Sequence, residues 1–163
     1  MRSSDKSFVF FWNEDAENGF MSQWYHAAMT IEGITYLFCE QYMMAKKALL
    51  FEDYEIYSQI MKAKTPRDCK RLGRLVHNFD AAKWHTVREE IVYHANIAKF
   101  SQNEELREQL LQTGDAILAE ASPLDKIWGI GMSADDVDAI NPEQWNGQNL
   151  LGKILMKVRT ELA

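Results

Sequence analysis

The sequence is short of the features that staple, anchor or punctuate a chain. It has two cysteines, Cys39 and Cys69, and no C-x-x-C pair. That excludes a disulfide framework and a zinc ribbon, so free thiols in a reducing cytoplasm are expected. Three prolines, Pro66, Pro123 and Pro142, are scattered along the chain, and no proline-rich linker divides it. No apolar leader follows Met1, and no apolar run approaches the roughly 18 residues of a membrane span. A cytoplasmic protein without a membrane partner is the expectation. Basic residues are not in excess: 18 Lys and Arg stand against 24 Asp and Glu, a net charge of −6. That argues against a long nucleic-acid partner, which would need a basic face. The P-loop, the G-x-G-x-x-G fingerprint and H-E-x-x-H are all missing. The histidines, His26, His77, His85 and His94, do not cluster. His85 and His94 fall on one predicted helix but point to opposite sides of it. No metal and no cofactor is expected, and the oligomeric state is left open.

What is present is an ordinary apolar content of 47% over 163 residues, enough for a core without staples. Five Trp, six Tyr and eight Phe make the chain aromatic-rich; such rings can fill a core, and flat rings also serve to stack bases or sugars. The first fifth reads as strands. "FVFFW" is a short β-type run, and "MTIEGITY" alternates around Glu32-Gly33, a hairpin signal. The remainder reads as helices. "EQYMMAKKALLF" is made of helix formers, and "YEIYSQIMKA" follows it. Thr65, Pro66 and Asp68 are an N-cap, a first-turn proline and an acid at the third position. Asp80 caps a long helix through Phe100, with Trp84, Val87, Ile91, Ala95 and Ala98 at helical spacing. Asn103 is a candidate cap for "EELREQLLQT", and Gly114 suits its C-terminal end. Asn141-Pro142 opens a short turn. Leu151, Ile154, Leu155, Val158 and Leu162 form the buried stripe of a last helix. The expected fold is α+β: mainly helical, with a small N-terminal antiparallel sheet.

Three stretches could carry chemistry. Glu40, Met43, Met44 and Lys47 recur on one helix face. They read either as a solvated helix start or as an apolar floor carrying an acid and an ammonium. "NGQNLLG", Asn146 to Gly152, leads into the last helix. There Asn149 reads as a simple cap or as part of an anion site at a helix N-terminus. "ASPLDKIWGIG" sets Asp125 three residues before Trp128, which Gly129 and Gly131 follow. It is either a turn-rich loop around a core tryptophan, or a wall where glycines admit a ligand to the main chain beside an indole face.

Taken together, "FMSQWY", "CEQYMMAKKAL", "LGR", "NIAKFSQNEELREQLLQTGD", "EASPLDKIWGIG" and "GQNLLGKILMKVR" resemble the YbiA-like family, also called the NADAR superfamily, in the family's own order. The resemblance covers about Phe11 to Leu162 and implies a single domain over residues 1–163. It also implies a hydrolase, an N-glycosidase that cleaves the base–ribose bond of phosphorylated pyrimidine intermediates of riboflavin biosynthesis and releases ribose 5-phosphate. An alternative within the same resemblance is a hydrolase of ADP-ribose conjugates such as ADP-ribosylated guanine, or a non-catalytic module for ADP-ribose or NAD-related nucleotides. By resemblance the catalytic candidates are Glu40, Trp128 and Asp125. The substrate-binding candidates are Trp12, Phe20, Ser22, Lys47, Gly129 and Asn149, around a small phosphorylated ribosyl partner. Two positions depart from some relatives: Gln41 where they have His, and Ile130 where they have Asp. These departures leave the exact substrate open.

Overall fold

The structure is a computed structural model that describes residues 7–163; the segment directly after Met1, where a leader would fall, lies outside them. The chain divides into two units, one running through Ser22 and resuming over Glu104–Ala163, the other spanning Gln23–Asn103.

In the first unit, β1 (Phe8–Phe11) pairs in parallel with β4 (Ile117–Glu120), from Phe8 opposite Ile117 to Phe11 opposite Glu120. The sequence reading has β1 but not β4. "ILAE" is only four residues long, and both its central residues, Leu118 and Ala119, are buried. A strand covered on both faces shows no alternation, so nothing in its pattern separates it from a helix fragment. α5 (Glu104–Gln112) precedes β4, and α6 (Leu150–Leu162) packs against it through the predicted stripe. Leu151, Leu155 and Val158 are fully buried. Gly114, at φ 63°, ends the turn after α5 as a C-terminal glycine does. A second apolar cluster of Ala119, Ala121, Ile130, Met132 and Ala139 packs with Phe10 and Trp145, and the Trp145 indole donates to the Ala139 carbonyl at 2.8 Å.

In the second unit, β2 (Met29–Ile31) and β3 (Ile34–Tyr36) form the predicted antiparallel hairpin. Glu32 and Gly33 both take positive φ, 51° and 81°, as a two-residue turn matched to strand twist requires. Helix α1 (Cys39–Leu50) is packed by α2 (Tyr54–Lys62), α3 (Pro66–Gly73) and α4 (Ala81–Gln102). The caps follow the sequence reading: Thr65 Oγ1 accepts from Asp68 N at 3.2 Å, and Asp80 Oδ1 accepts from Ala82 N and Lys83 N. Gly73 lets α3 lie close on α1, because a Cβ there would run into the Met44 thioether. Asn103 stands between α4 and α5, directly before Glu104. Its amide donates to the Lys99 carbonyl at 2.8 Å and to the Ala28 carbonyl at 3.2 Å, tying the end of α4 to the segment just before β2.

The buried face of α4 differs from expectation. It runs Trp84, Arg88, Val92, Ala95, Asn96, Ala98, Lys99 and Phe100, while Val87 and Ile91 are only half-buried. The apolar stripe is therefore rotated to take in two cations and an amide. Among the described residues no helix is long and apolar enough to cross a membrane.

Candidate active site

The candidate residues fall into two groups, one in each unit. In the second unit, the mixed stripe of α1 is an inward face and not a solvated helix start. Glu40 is 8% exposed, Met43 and Met44 are buried, and Lys47 is half-buried. Glu40 sits in the first turn, where the helix dipole favours an acid, and its backbone N–H donates to the Gln23 carbonyl at 3.1 Å. Seven residues on, about 10 Å along the axis, Lys47 lies on the same face. Burial pushes its ammonium below the ordinary lysine value; Glu40 opposes that shift and Arg74 adds to it. Lys47 Nζ lies 4.6 Å from the Phe79 ring centre and 5.9 Å from that of Trp84, within range of cation–π attraction. Arg74, Phe79 and Trp84 are not among the sequence candidates. Arg74 stands in the quoted "LGR", but Phe79 lies in a loop with no pattern around it.

The same unit buries a polar cluster beside Glu40. Asn96 exchanges hydrogen bonds with the Gln23 amide, at 3.3 and 3.4 Å. Cys39 Sγ lies 3.9 Å from Asn96 Oδ1. Lys99 is fully buried, and burial pushes its ammonium down to about 8, with Cys39 opposing. Burial also pushes the thiols up, Cys39 to about 11 and Cys69 to about 12. Both are protonated at neutral pH and so are poor nucleophiles. Gln41, the first departure, is 1% exposed. Its Oε1 accepts from Leu37 N at 2.9 Å and its Nε2 donates to the Ile60 carbonyl at 3.0 Å, so it ties the start of α1 to the end of α2.

In the first unit, Asp125, Trp128, Gly129 and Asn149 come together. Asp125 Oδ1 accepts from Ile127 N at 2.9 Å and Trp128 N at 2.8 Å. This closed turn fixes the backbone that carries the half-buried indole. The glycines answer first to the protein's own main chain. A Cβ on Gly129 would lie 2.8 Å from the Glu120 carbonyl, and one on Gly131, at φ 72°, would lie 3.0 Å from Asn146. Asn149 N donates to the Gly129 carbonyl at 2.9 Å. Asn149 is 1% exposed and left-handed at φ 53°, and its side chain makes no capping bond. Instead its Oδ1 accepts from Glu120 N at 3.1 Å and its Nδ2 donates to the Leu118 carbonyl at 2.9 Å. Gly152 allows this, since a Cβ there would strike the Leu118 carbonyl and the Asn149 amide. Ile130, the second departure, is fully buried in the apolar cluster. Trp12 follows β1 and is 50% exposed, Phe20 is half-buried, and Ser22 is buried. Glu120, a half-buried acid at the end of β4, is a further carboxylate that the sequence candidates omit.

The NADAR domain model matches residues 10–163 of this chain. The chain belongs to the NADAR domain family. It is 48% identical over 126 residues to the N-glycosidase R617 of Acanthamoeba polyphaga mimivirus, covering 77% of this chain and 74% of that one. It is 32% identical over 154 residues to the riboflavin biosynthesis protein VVA0006 of Vibrio vulnificus, covering 94% of this chain but 38% of that longer one. Among solved structures, the NMR structure of E. coli YbiA superposes with a TM-score of 0.80 at 29% identity, covering 96% of this chain and 85% of that one. The α+β fold is that of YbiA, and relatives named as N-glycosidases put this NADAR chain among hydrolases.

Proposed function

We propose that this chain hydrolyses the N-glycosidic bond of a phosphorylated ribosyl pyrimidine, an intermediate of riboflavin biosynthesis, and releases ribose 5-phosphate. One observation carries the reading: Glu40 and Lys47 lie on one inward face of α1, two turns apart, an acid and a cation that influence each other. Scission of a C–N glycosidic bond develops positive charge on the sugar. A fixed carboxylate answers that charge as it forms, and an ammonium along the same face answers a phosphate. Water supplies the new C–O bond at the anomeric carbon. The C–N bonding pair leaves with the base, which takes up a proton. Glu40 accepts the proton of the attacking water. The names of the N-glycosidase and riboflavin-biosynthesis relatives support the reaction and the substrate class.

The test is Glu40→Gln. At about 4 Å and an effective dielectric near 20, a unit charge pair is worth about 4 kcal/mol. Loss of the charge should therefore lower kcat by about 10³, with the phosphorylated product still bound. Release of ribose 5-phosphate, followed by mass spectrometry across a panel of ribosylated bases, is the readout. A Glu40→Gln protein that turns over like the parent removes Glu40 from the mechanism. A folded parent that releases no sugar phosphate from any pyrimidine substrate removes the substrate class.

A further inference from the structure

Residues 51–53 and 77–79 of the second unit are clipped to each other at two points. Asp53 Oδ2 accepts the backbone N–H of His77 at 2.9 Å and its ring Nδ1–H at 2.8 Å. The other oxygen, Oδ1, caps α2 by accepting from Ile56 N at 3.1 Å. The main-chain and ring bonds from His77, with that from Ile56, hold the Asp53 carboxyl below the usual range. Two residues away in each loop, the rings of Phe51 and Phe79 meet edge to face at 5.4 Å. The residues between, Glu52 and Asn78, are both left-handed, at φ 57° and 59°. Asparagine tolerates this conformation, but Glu52 is held in one that most side chains avoid.

The clip holds an aromatic ring at the surface. Phe79 is 47% exposed, so core burial alone does not account for its placement. Its ring is where the Lys47 ammonium rests, 4.6 Å from its centre. Lysine ends on a flexible four-carbon stem, and an anion that recruits it must first freeze that stem. Arg74 also repels the ammonium. A ring fixed beneath the charge restrains both tendencies before any ligand arrives.

We infer that Phe79, held by the Asp53–His77 clip, is a positioning residue that sets the Lys47 ammonium in place for an anionic group of the substrate. The inference rests on the reading that Lys47 holds a phosphate, so its test needs a readout that survives if that reading fails. Lysine labelled with ¹³C at the ε carbon provides one. The Lys47 resonance is assigned with Lys47→Arg. The resonance of Lys99, whose Nζ lies 5.1 Å from the Phe100 ring, reports that the unit remains folded. In Phe79→Leu the Lys47 resonance should lose its ring-current shift while that of Lys99 stays. KM for the phosphorylated ribosyl substrate should rise about twofold to tenfold, the cost of freezing one long side chain on binding, with kcat retained. His77→Ala should move both readouts the same way. His77→Asn, whose amide can reach Asp53 from the Nδ1 position, should restore them. The proposal is overturned if Phe79→Leu and His77→Ala leave the Lys47 resonance unchanged, or if the resonance moves while KM does not. A parent with no turnover defeats the proposed reaction instead. In that case the same lysine resonances, followed with inorganic phosphate alone, decide the clip. A Lys47 resonance that responds to phosphate in the parent but not in Phe79→Leu supports it, and equal responses overturn it.

Discussion

Lys99 is a cation whose chemistry is strongly displaced by its surroundings. It is fully buried between the rings of Tyr25 and Phe100, 5.5 and 5.1 Å from Nζ, and its ammonium is pushed down to about 8. In the unfolded chain a lysine holds its proton to about 10.4. From about pH 8 to pH 10.4 the unfolded state therefore binds the extra proton, and stability rises with pH across that window. Below about pH 8 both states are charged, and the whole cost of burying the ammonium, about 3 kcal/mol, is present. Lys99→Met keeps the bulk and removes the charge. At pH 7 it should stabilise the protein by about 1–3 kcal/mol, and the gain should shrink as pH passes 8. Urea midpoints of parent and variant across pH 6 to 10 check the sign, because the other titrating groups cancel in the difference. A variant no more stable than the parent at pH 7 would mean that the contacts of the ammonium outweigh its burial. Glu40 is a contrasting case. Its spacing with Lys47 was legible in the sequence; its burial was not, because the same i, i+3, i+4, i+7 pattern fits a helix start in water.

At the scale of elements, local rules were read correctly wherever the determinant was local. The Glu32-Gly33 turn, the Thr65 and Asp80 caps and the stripe of α6 each depend on residues within a few positions of one another. The misses depend on partners far along the chain. β4 exists because β1, more than a hundred residues earlier, supplies its ladder. Asn103, at the start of α5, also reaches the Ala28 carbonyl, just ahead of β2 and 75 residues before it. Asn149 reads as a helix cap but reaches back to β4, 29 and 31 residues earlier. That last case makes a prediction. Asn149→Ala removes one donor and one acceptor from buried main-chain partners and leaves an alanine in a left-handed conformation. Together these should cost about 2–4 kcal/mol. Asn149→Asp should be no better, since it keeps the acceptor for Glu120 N but turns a carboxylate oxygen on the Leu118 carbonyl. If urea denaturation finds Asn149→Ala within about 0.5 kcal/mol of the parent, the range of an ordinary surface change, then the β4 bridge contributes little.

At the scale of the whole molecule, a net charge of −6 opposes any anionic ligand, so recognition has to come from local cations. Lys47 and Arg74 interact with each other beside the Phe79 ring, and they give the chain such a place despite its overall sign. A ligand bound there should stabilise the folded protein by mass action, about 2.7 kcal/mol at a hundred times its dissociation constant. For a chain of this length each kcal/mol moves the melting temperature by about 2–4 °C, so ribose 5-phosphate at saturation should raise it by about 5–10 °C. Lys47→Met should abolish the shift, and added salt should weaken it, since the attraction is electrostatic and partly exposed. ADP-ribose in the same assay separates the substrate classes. A larger rise with ADP-ribose than with ribose 5-phosphate would mean that the protein recognises the adenosine half as well, against the pyrimidine reading. Glu40→Gln adds the last distinction. An enzyme that uses its carboxylate in the transition state keeps the thermal shift and loses turnover, because that charge acts on a sugar cation which the bound product lacks. A module that only binds would show the same thermal shift with glutamate or glutamine, and no turnover with either.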